Sequence, residues 1–399
     1  MTRGAPARRI AAVPAAALVF LAAAPAAAQT VVGTVVEEGS GAPLAATFVV
    51  LEDPGGEVRA RALTGRDGAF RIGAPGPGRW RLRTERIGFE PGVSPELELA
   101  AGEVRTFRFR VATRPVRLDD IAAEDRPRCG RVGVQEAVEL QRVWDEARKA
   151  LSATVWTGLQ PHFRFDVVLH SRLLGPDGDP EGEPTYTEAR FYGRHPFRAV
   201  PKRDLALGGF VQRRPGRIAF HAPDAEVLLS DSFVDRHCFR IDRATSAGVR
   251  QVGLVFEPVP GGRVTDIEGV MWLDERTAEL RRVEFRYVGL DISGDRRRLG
   301  GRVEFTRLPA GEWIVRRWWI RTPVLGWPDS EGELDPEERQ RRRRLSRYAW
   351  VDEGGGEVVA VWRTSRLPGT VAADTLDVRL PPDRLVTRFD YLGPVGGEG

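Results

Sequence analysis

Leu280-Arg281-Arg282-Val283-Glu284-Phe285-Arg286-Tyr287-Val288 decides how the larger part of this chain folds. Val283, Phe285 and Tyr287 alternate with Arg282, Glu284 and Arg286. A period of two places the first set on one face of a strand and the second set on the other. One dry face and one wet face is the pattern of an antiparallel sheet with a single buried side. Val303 and Phe305 repeat it against Arg302, Glu304 and Thr306. Upstream, Asp274-Glu275-Arg276-Thr277 reads as the turn that joins strands over 264–273 and 279–288 into a meander. Further strands are expected over 163–174, 185–192, 252–257, 301–308, 312–321 and 358–364. The acidic, Gly-containing stretch Asp177-Gly178-Asp179-Pro180-Glu181-Gly182-Glu183 reads as the tip of a hairpin.

Segment 312–321 carries aromatic rings on both faces. Strict alternation sets Trp313 with Trp319, and Trp318 with Ile314 and Ile320. A strand covered on both sides is either central in its sheet or lines a ligand cavity. Trp313, Trp318 and Trp319, with Trp272 in a neighbouring strand, are therefore the candidate ligand-binding residues. Before this sheet, residues 134–153 read as a helix. Leu140, Trp144, Ala147 and Leu151 form an apolar stripe at helical period, and Glu136, Glu139, Arg142, Asp145 and Arg148 cover the other side.

Residues 29–113 read differently. Short β-branched runs at 31–36, 45–52, 58–64, 69–72, 79–83 and 104–111 are punctuated by Gly/Pro turns. Such spacing predicts a small β-sandwich. The stretch 114–133 is rich in Pro and charge and reads as a linker. The fold expected is thus mainly β: an N-terminal Greek-key sandwich, then a curved antiparallel domain over 134–385 packed on one amphipathic helix. Residues 386–399 form a flexible tail.

Gly33-Thr34-Val35-Val36, Gly41-Ala42-Pro43-Leu44-Ala45-Ala46 and Val49-Val50 resemble the opening of the carboxypeptidase regulatory-like domain. Thr64-Gly65-Arg66-Asp67-Gly68-Ala69-Phe70-Arg71-Ile72 matches its T-x-x-D-G-x-F-x-I hairpin, and Trp80 through Phe89 its closing strand and Gly-aromatic turn. The resemblance implies a transthyretin-like accessory module, not a catalytic one. In that light Thr64, Asp67 and Gly68 are turn residues and Trp80 a core residue. In the second part, Asp266-Ile267-Glu268-Gly269-Val270-Met271-Trp272-Leu273-Asp274 with Leu280 to Phe285 resembles the hairpin of periplasmic lipoprotein-carrier-like proteins. That likeness implies a half-closed sheet around a helix, with an apolar concavity for acyl chains.

The chain opens with Arg3, Arg8 and Arg9, an Ala/Val/Leu run broken by Pro14 and Pro25, and Ala26-Ala27-Ala28 before Gln29. A basic head, a short apolar run and a small-x-small stop make a secretory signal peptide over 1–28. The expected address is outside the cytoplasm, in the periplasm or at the outer-membrane periphery. No second apolar run reaches membrane length, so the mature chain is expected to have no transmembrane helix. The formal charge of +4 includes the three leader arginines, so the mature chain stands near +1. That balance argues against a nucleic-acid partner. The chain's two cysteines, Cys129 and Cys238, are a disulfide candidate in an oxidising compartment, with separate thiols the other possibility.

No catalytic residue and no metal site is assigned. Three positions after His162, His170, His195, His221 and His237 stand Phe165, Leu173, Arg198, Asp224 and Arg240, so no zinc-peptidase spacing exists. His237-Cys238 offers two ligands where a metal needs three or four. No nucleophile elbow or phosphate loop occurs. The charge run Glu337 to Arg344 reads as a solvated loop or frayed helix between strands, with contact to anionic headgroups or lipopolysaccharide the alternative. The expectation is a non-catalytic envelope binding or scaffolding protein without a cofactor, whose partner is an envelope protein, a lipid or a glycan. A lipid or glycan carrier and, last, a secreted hydrolase are the alternatives.

Overall fold

The first segment forms two short facing sheets because its strands alternate apolar residues inward. In chain order these are β1 (Gln29–Glu37), β2 (Phe48–Glu52), β3 (Val58–Leu63), β4 (Ala69–Ala74), β5 (Gly78–Glu85), β6 (Leu97–Leu99) and β7 (Val104–Val111). One sheet has the order β4-β1-β7 and the other β3-β2-β5-β6. β1 runs parallel to β7, an exception to the antiparallel rule elsewhere. Val31, Val35, Val49, Leu51, Phe70, Ile72, Trp80, Leu82, Leu99 and Phe109 fill the space between the sheets. Gly68 sits at φ 72° in the tight turn before β4, and a Cβ there would stand 2.5 Å from the Val35 carbonyl oxygen. This is a computed structural model, and it describes residues 29–113, 134–214, 217–246, 248–290, 296–324, 350–365 and 373–380. The leader, the linker with Cys129, the charge run near 341–344 and the tail lie outside the described residues.

The second segment begins with helix α1 (Val134–Gly158) and the hairpin β8 (Phe163–Leu174) and β9 (Pro180–Tyr192). Short elements follow: α2 (Lys202–Gly208), β10 (Val211–Arg214), β11 (Arg217–Phe220), α3 (Ala225–Leu228) and α4 (Asp231–Val234). A meander then runs through β12 (His237–Ser246), β13 (Val249–Pro258), β14 (Asp266–Asp274), β15 (Leu280–Val288), β16 (Gly300–Arg307) and β17 (Trp313–Pro323). β18 (Val351–Ser365) and β19 (Ala373–Arg379) complete it. The result is a ten-stranded sheet of order β12-β13-β14-β15-β16-β17-β18-β8-β9, with β19 pairing β18 beyond the end of β17. Every pair in it is antiparallel. The fold is therefore mainly β, as the alternation implies. The structure adds three short helices and strands β10, β11, β12 and β19, which the pattern does not disclose.

Two corrections follow from packing. On the charged side of α1, Glu139, Arg142, Asp145 and Arg148 are partly exposed. Glu146, Lys149 and Ser152, which the stripe does not mark, are buried along with Val143, Ala147, Ala150 and Leu151. The sheet covers one side of the helix and the sandwich covers the other. Phe48 and Val50 of β2 point away from their own sandwich and enter the core of the second domain, where the Phe48 ring meets the Trp156 ring edge-on at 6.1 Å. All four residues Phe48 to Leu51 are buried, so β2 is shared by both cores.

The second correction concerns β17. Glu304 pairs with Arg317 but Phe305 pairs with Val315, so Arg316 is an extra residue. This bulge resets the alternation. Trp313 and Trp318 consequently belong to the buried face, and Trp319 to the wet one. Trp318 is accommodated by Gly356 directly opposite, where a Cβ would lie 2.5 Å from its ring.

Candidate functional site

The four tryptophans do not form one site. Trp318 packs in the core against His195 and Phe197, with ring centroids at 5.9 and 5.4 Å. Trp272 and Trp319 lie on the wet face of the sheet, within a lattice of arginines and glutamates. Arg282 covers the Trp272 ring at 5.3 Å, and Arg321 covers the Trp319 ring at 4.5 Å. Glu284 accepts from Trp272 Nε1 at 3.0 Å and pairs with Arg302 at 2.6 Å. Glu353 pairs with Arg172 at 2.6 Å and Arg321 at 2.7 Å. Burial pushes the Glu353 carboxyl up, but hydrogen bonds from His170 and Arg321 and the charges of Arg172 and Arg321 outweigh it, bringing it to about 2. These cross-strand pairs hold the wet face rigid.

Trp313 alone reaches a cavity. A space of about 270 Å³ lies where the two domains meet. From the sandwich, Ala45, Ala46 and Phe48 form one wall, and residues 85–89 at the end of β5 form the next. Lys149 and Ala153 of α1 form its back. The β14–β15 turn contributes Arg276, Thr277 and Glu279, and the β16–β17 hairpin contributes Arg307, Gly311 and Trp313.

Local chemistry fixes these walls. Thr64 Oγ1 accepts from the Thr47 amide at 2.9 Å and donates to the Leu44 carbonyl, clamping both sides of Ala45-Ala46. Ala46 is held at φ 52°, a left-handed conformation costly for a residue with a Cβ. Gly311, at φ 102°, comes so close that a Cβ on it would stand 2.4 Å from the Ala46 Cβ. Asp274 Oδ1 accepts from the amides of Arg276 and Thr277, both at 3.0 Å, and so shapes the β14–β15 turn.

Four cationic and two anionic side chains line the cavity. Lys149 is neutralised by Glu146 at 2.7 Å, and Glu146 also accepts from the Gly88 amide at 3.3 Å. Arg307 reaches Glu279 at 3.3 Å. Arg86 donates to the Ala45 carbonyl and stacks on the Phe89 ring at 4.9 Å. Among the described residues it has no carboxylate within ion-pairing distance, and neither has Arg276 at the rim. Burial first, and then the Arg307 charge, lower the Arg86 guanidinium to about 10 against the opposing charge of Glu37. Burial raises the Glu85 carboxyl, but the Arg148 and Arg83 charges prevail and hold it below its ordinary value. One of its oxygens, Oε2, is buried without a hydrogen-bond partner.

The five histidines are scattered. His195 Nε2 donates to the Val315 carbonyl at 2.6 Å while Nδ1 accepts from the Phe197 amide at 3.1 Å. Burial brings it down to about 4. His237 is stacked on Phe233 at 4.0 Å, His170 stands 3.8 Å from Glu353, and His162 lies against Phe163. Among the described residues no group of three or more His, Cys, Asp or Glu side chains is arranged to hold a metal. None of their helices is long and apolar enough to cross a membrane. Trp80, with Nε1 donating to the Gly76 carbonyl at 3.1 Å, is a core residue of the sandwich.

Residues 30–112 match the family model of the carboxypeptidase regulatory-like domain. No curated protein matches the chain. Among solved structures it is similar to the group B streptococcus pilus 2b backbone protein, at 13% identity over 21% of this chain and 41% of that one, with a TM-score of 0.18. It is similar to a DUF1329 family protein from Desulfovibrio piger at 9% identity, over 55% and 91% of the two chains, with a TM-score of 0.27. A carbohydrate-binding protein, so described, from Bacteroides uniformis aligns at 10% identity over 62% and 98%, with a TM-score of 0.19. The chain spans less than half of the pilus protein and 26% of the Bacillus anthracis TIE protein, which it also resembles.

Proposed function

We propose that this chain is a non-catalytic binding or scaffolding protein of the cell envelope, exported by its leader, whose ligand site is the junction between its two domains. The observation that carries this reading is the position of the cavity. Its walls come from both domains, from a strained Ala46 and from a Gly311 that tolerates no side chain. Strained backbone concentrates at functional sites. The regulatory-like domain over 30–112 supports an accessory role.

The acyl-carrier alternative has less support. A carrier needs an open apolar groove inside its sheet, and here α1, α3 and Trp318 pack against the buried face. The hydrolase alternative needs histidines and carboxylates gathered in one cleft, whereas the junction cavity is lined by no histidine and the histidines stand apart. A Cys129–Cys238 disulfide belongs to this reading, because an exported chain meets an oxidising compartment. Such a bridge would tie the linker to β12 beside the start of α1, where Trp144 already packs on Phe239 at 5.3 Å.

Native mass spectrometry of the mature protein, made in a periplasm, tests the reading. A mass excess lost on mild activation supports a bound small ligand. A clean polypeptide mass, together with specific retention of one envelope protein, supports the scaffold. Turnover of a substrate at a defined residue contradicts both. The same spectrum reports the bridge as a mass about 2 Da below the reduced chain.

A further inference from the structure

The junction cavity holds two kinds of unfinished hydrogen bonding. On one side are cations with no carboxylate in ion-pairing distance among the described residues, Glu37 acting on Arg86 only from farther off. Arg86 is half-buried, bound to a neutral carbonyl and an aromatic ring, and faces Arg307. Arg276 stands at the rim with its guanidinium likewise unmatched among the described residues. On the other side is the buried Glu85 Oε2, an acceptor with no donor. Leaving a half-buried cation without a close ion pair and a buried carboxylate oxygen without a donor is costly, so the arrangement calls for an external partner. Between them the walls are apolar: Phe48, Ile87, Phe89 and Trp313.

We propose that the cavity binds a small hydroxylated carboxylic acid, of the sugar-acid class, with its carboxylate on Arg86 and Arg276 and a hydroxyl donated to Glu85. The carboxylate supplies the close ion pair that the arginines lack, in the fork geometry arginine favours. The hydroxyl satisfies Glu85 without adding a second negative charge. The apolar wall accepts the C–H face of a ring. A phosphate ester could satisfy the arginines equally, so the carboxylate must be distinguished by experiment. A neutral sugar would leave both arginines unmatched. This assignment rests on the binding reading given above and names its ligand class.

The test is isothermal titration of the full mature protein with D-glucuronate, D-glucose and inorganic phosphate. Glucuronate is expected to bind saturably, more weakly as salt rises, and about 10- to 100-fold more tightly than glucose. Arg86→Met is expected to weaken glucuronate by a similar factor while leaving thermal stability equal or higher, since it removes a half-buried cation that has no close ion pair. Arg276→Met, at the exposed rim, provides a second variant that cannot be dismissed as misfolded. Equal binding of glucose and glucuronate, no binding of glucuronate, or full affinity in both variants would overturn the proposal. Phosphate binding with glucuronate inert would overturn the carboxylate assignment. A ligand seen by native mass spectrometry despite inert glucuronate would sink only the ligand class and leave the binding reading standing.

Discussion

Phe48→Ala tests how the two domains are joined. Phe48 belongs by sequence to the sandwich but by packing to the second domain, where it is 3% exposed. Truncating a fully buried phenylalanine costs about 3–5 kcal/mol through lost transfer energy and the cavity left behind. About 0.5–1.5 kcal/mol of that belongs to the edge-on contact with Trp156 at 6.1 Å and 83°. The assay is urea unfolding followed in parallel by far-UV circular dichroism and tryptophan fluorescence. Trp80 is the only tryptophan within residues 30–112, so fluorescence reports mainly on the second domain. The wild-type protein is expected to unfold in one transition seen identically by both probes. The variant should lose stability in both signals, and a cycle with Trp156→Ala should give a coupling above about 0.5 kcal/mol. A loss below about 1 kcal/mol, or two wild-type transitions of which only one moves, would refute the shared core.

Three further outcomes are expected. Gly311→Ala should cost about 2–4 kcal/mol from left-handed strain and overpacking against Ala46, and Ala46→Gly in the same chain should recover part of it; equal losses in single and double variants would contradict the contact. His195 is held neutral down to about 4 while the unfolded chain takes up its proton near 6.5, so stability should fall as pH drops from about 6.5 to 4, and this slope should shrink in His195→Gln to the part left by His162, which burial also lowers. Glu353 has its pKa depressed to about 2, so its contribution is complete above about 4.5 and lost as pH falls towards 2; Glu353→Gln should flatten that window, and an unchanged acid limb would contradict the pairing with Arg172 and Arg321.

The meander was legible because β15 and β16 bury one face only, and period two survives such one-sided burial. β12 was missed because Arg240, Asp242 and Arg243 interrupt its run and leave Ile241 as its one buried aliphatic residue. The faces of β17 were misassigned for a different reason: nothing local marks Arg316 as a bulge, which arises from pairing with β16. The docking of the domains did leave a signal. Phe48-Val49-Val50-Leu51 is a continuous apolar run, the mark of a strand buried on both faces. The junction residues left none. Arg86 stands between Glu85 and Ile87 as an ordinary strand-end arginine, and only folding, which desolvates it and brings Arg307 near, sets it apart. Thr64 was correctly placed at a turn, but its clamp on Ala45-Ala46 needs the folded sandwich.

The most direct measurement is a crystal structure of the mature protein purified from a periplasm without stripping its ligands. The account predicts the sandwich seated on α1 through Phe48, with non-protein density in the junction against Arg86 and Glu85. Separated domains, or a closed junction in which Arg86 has turned onto a carboxylate of its own chain, would contradict it.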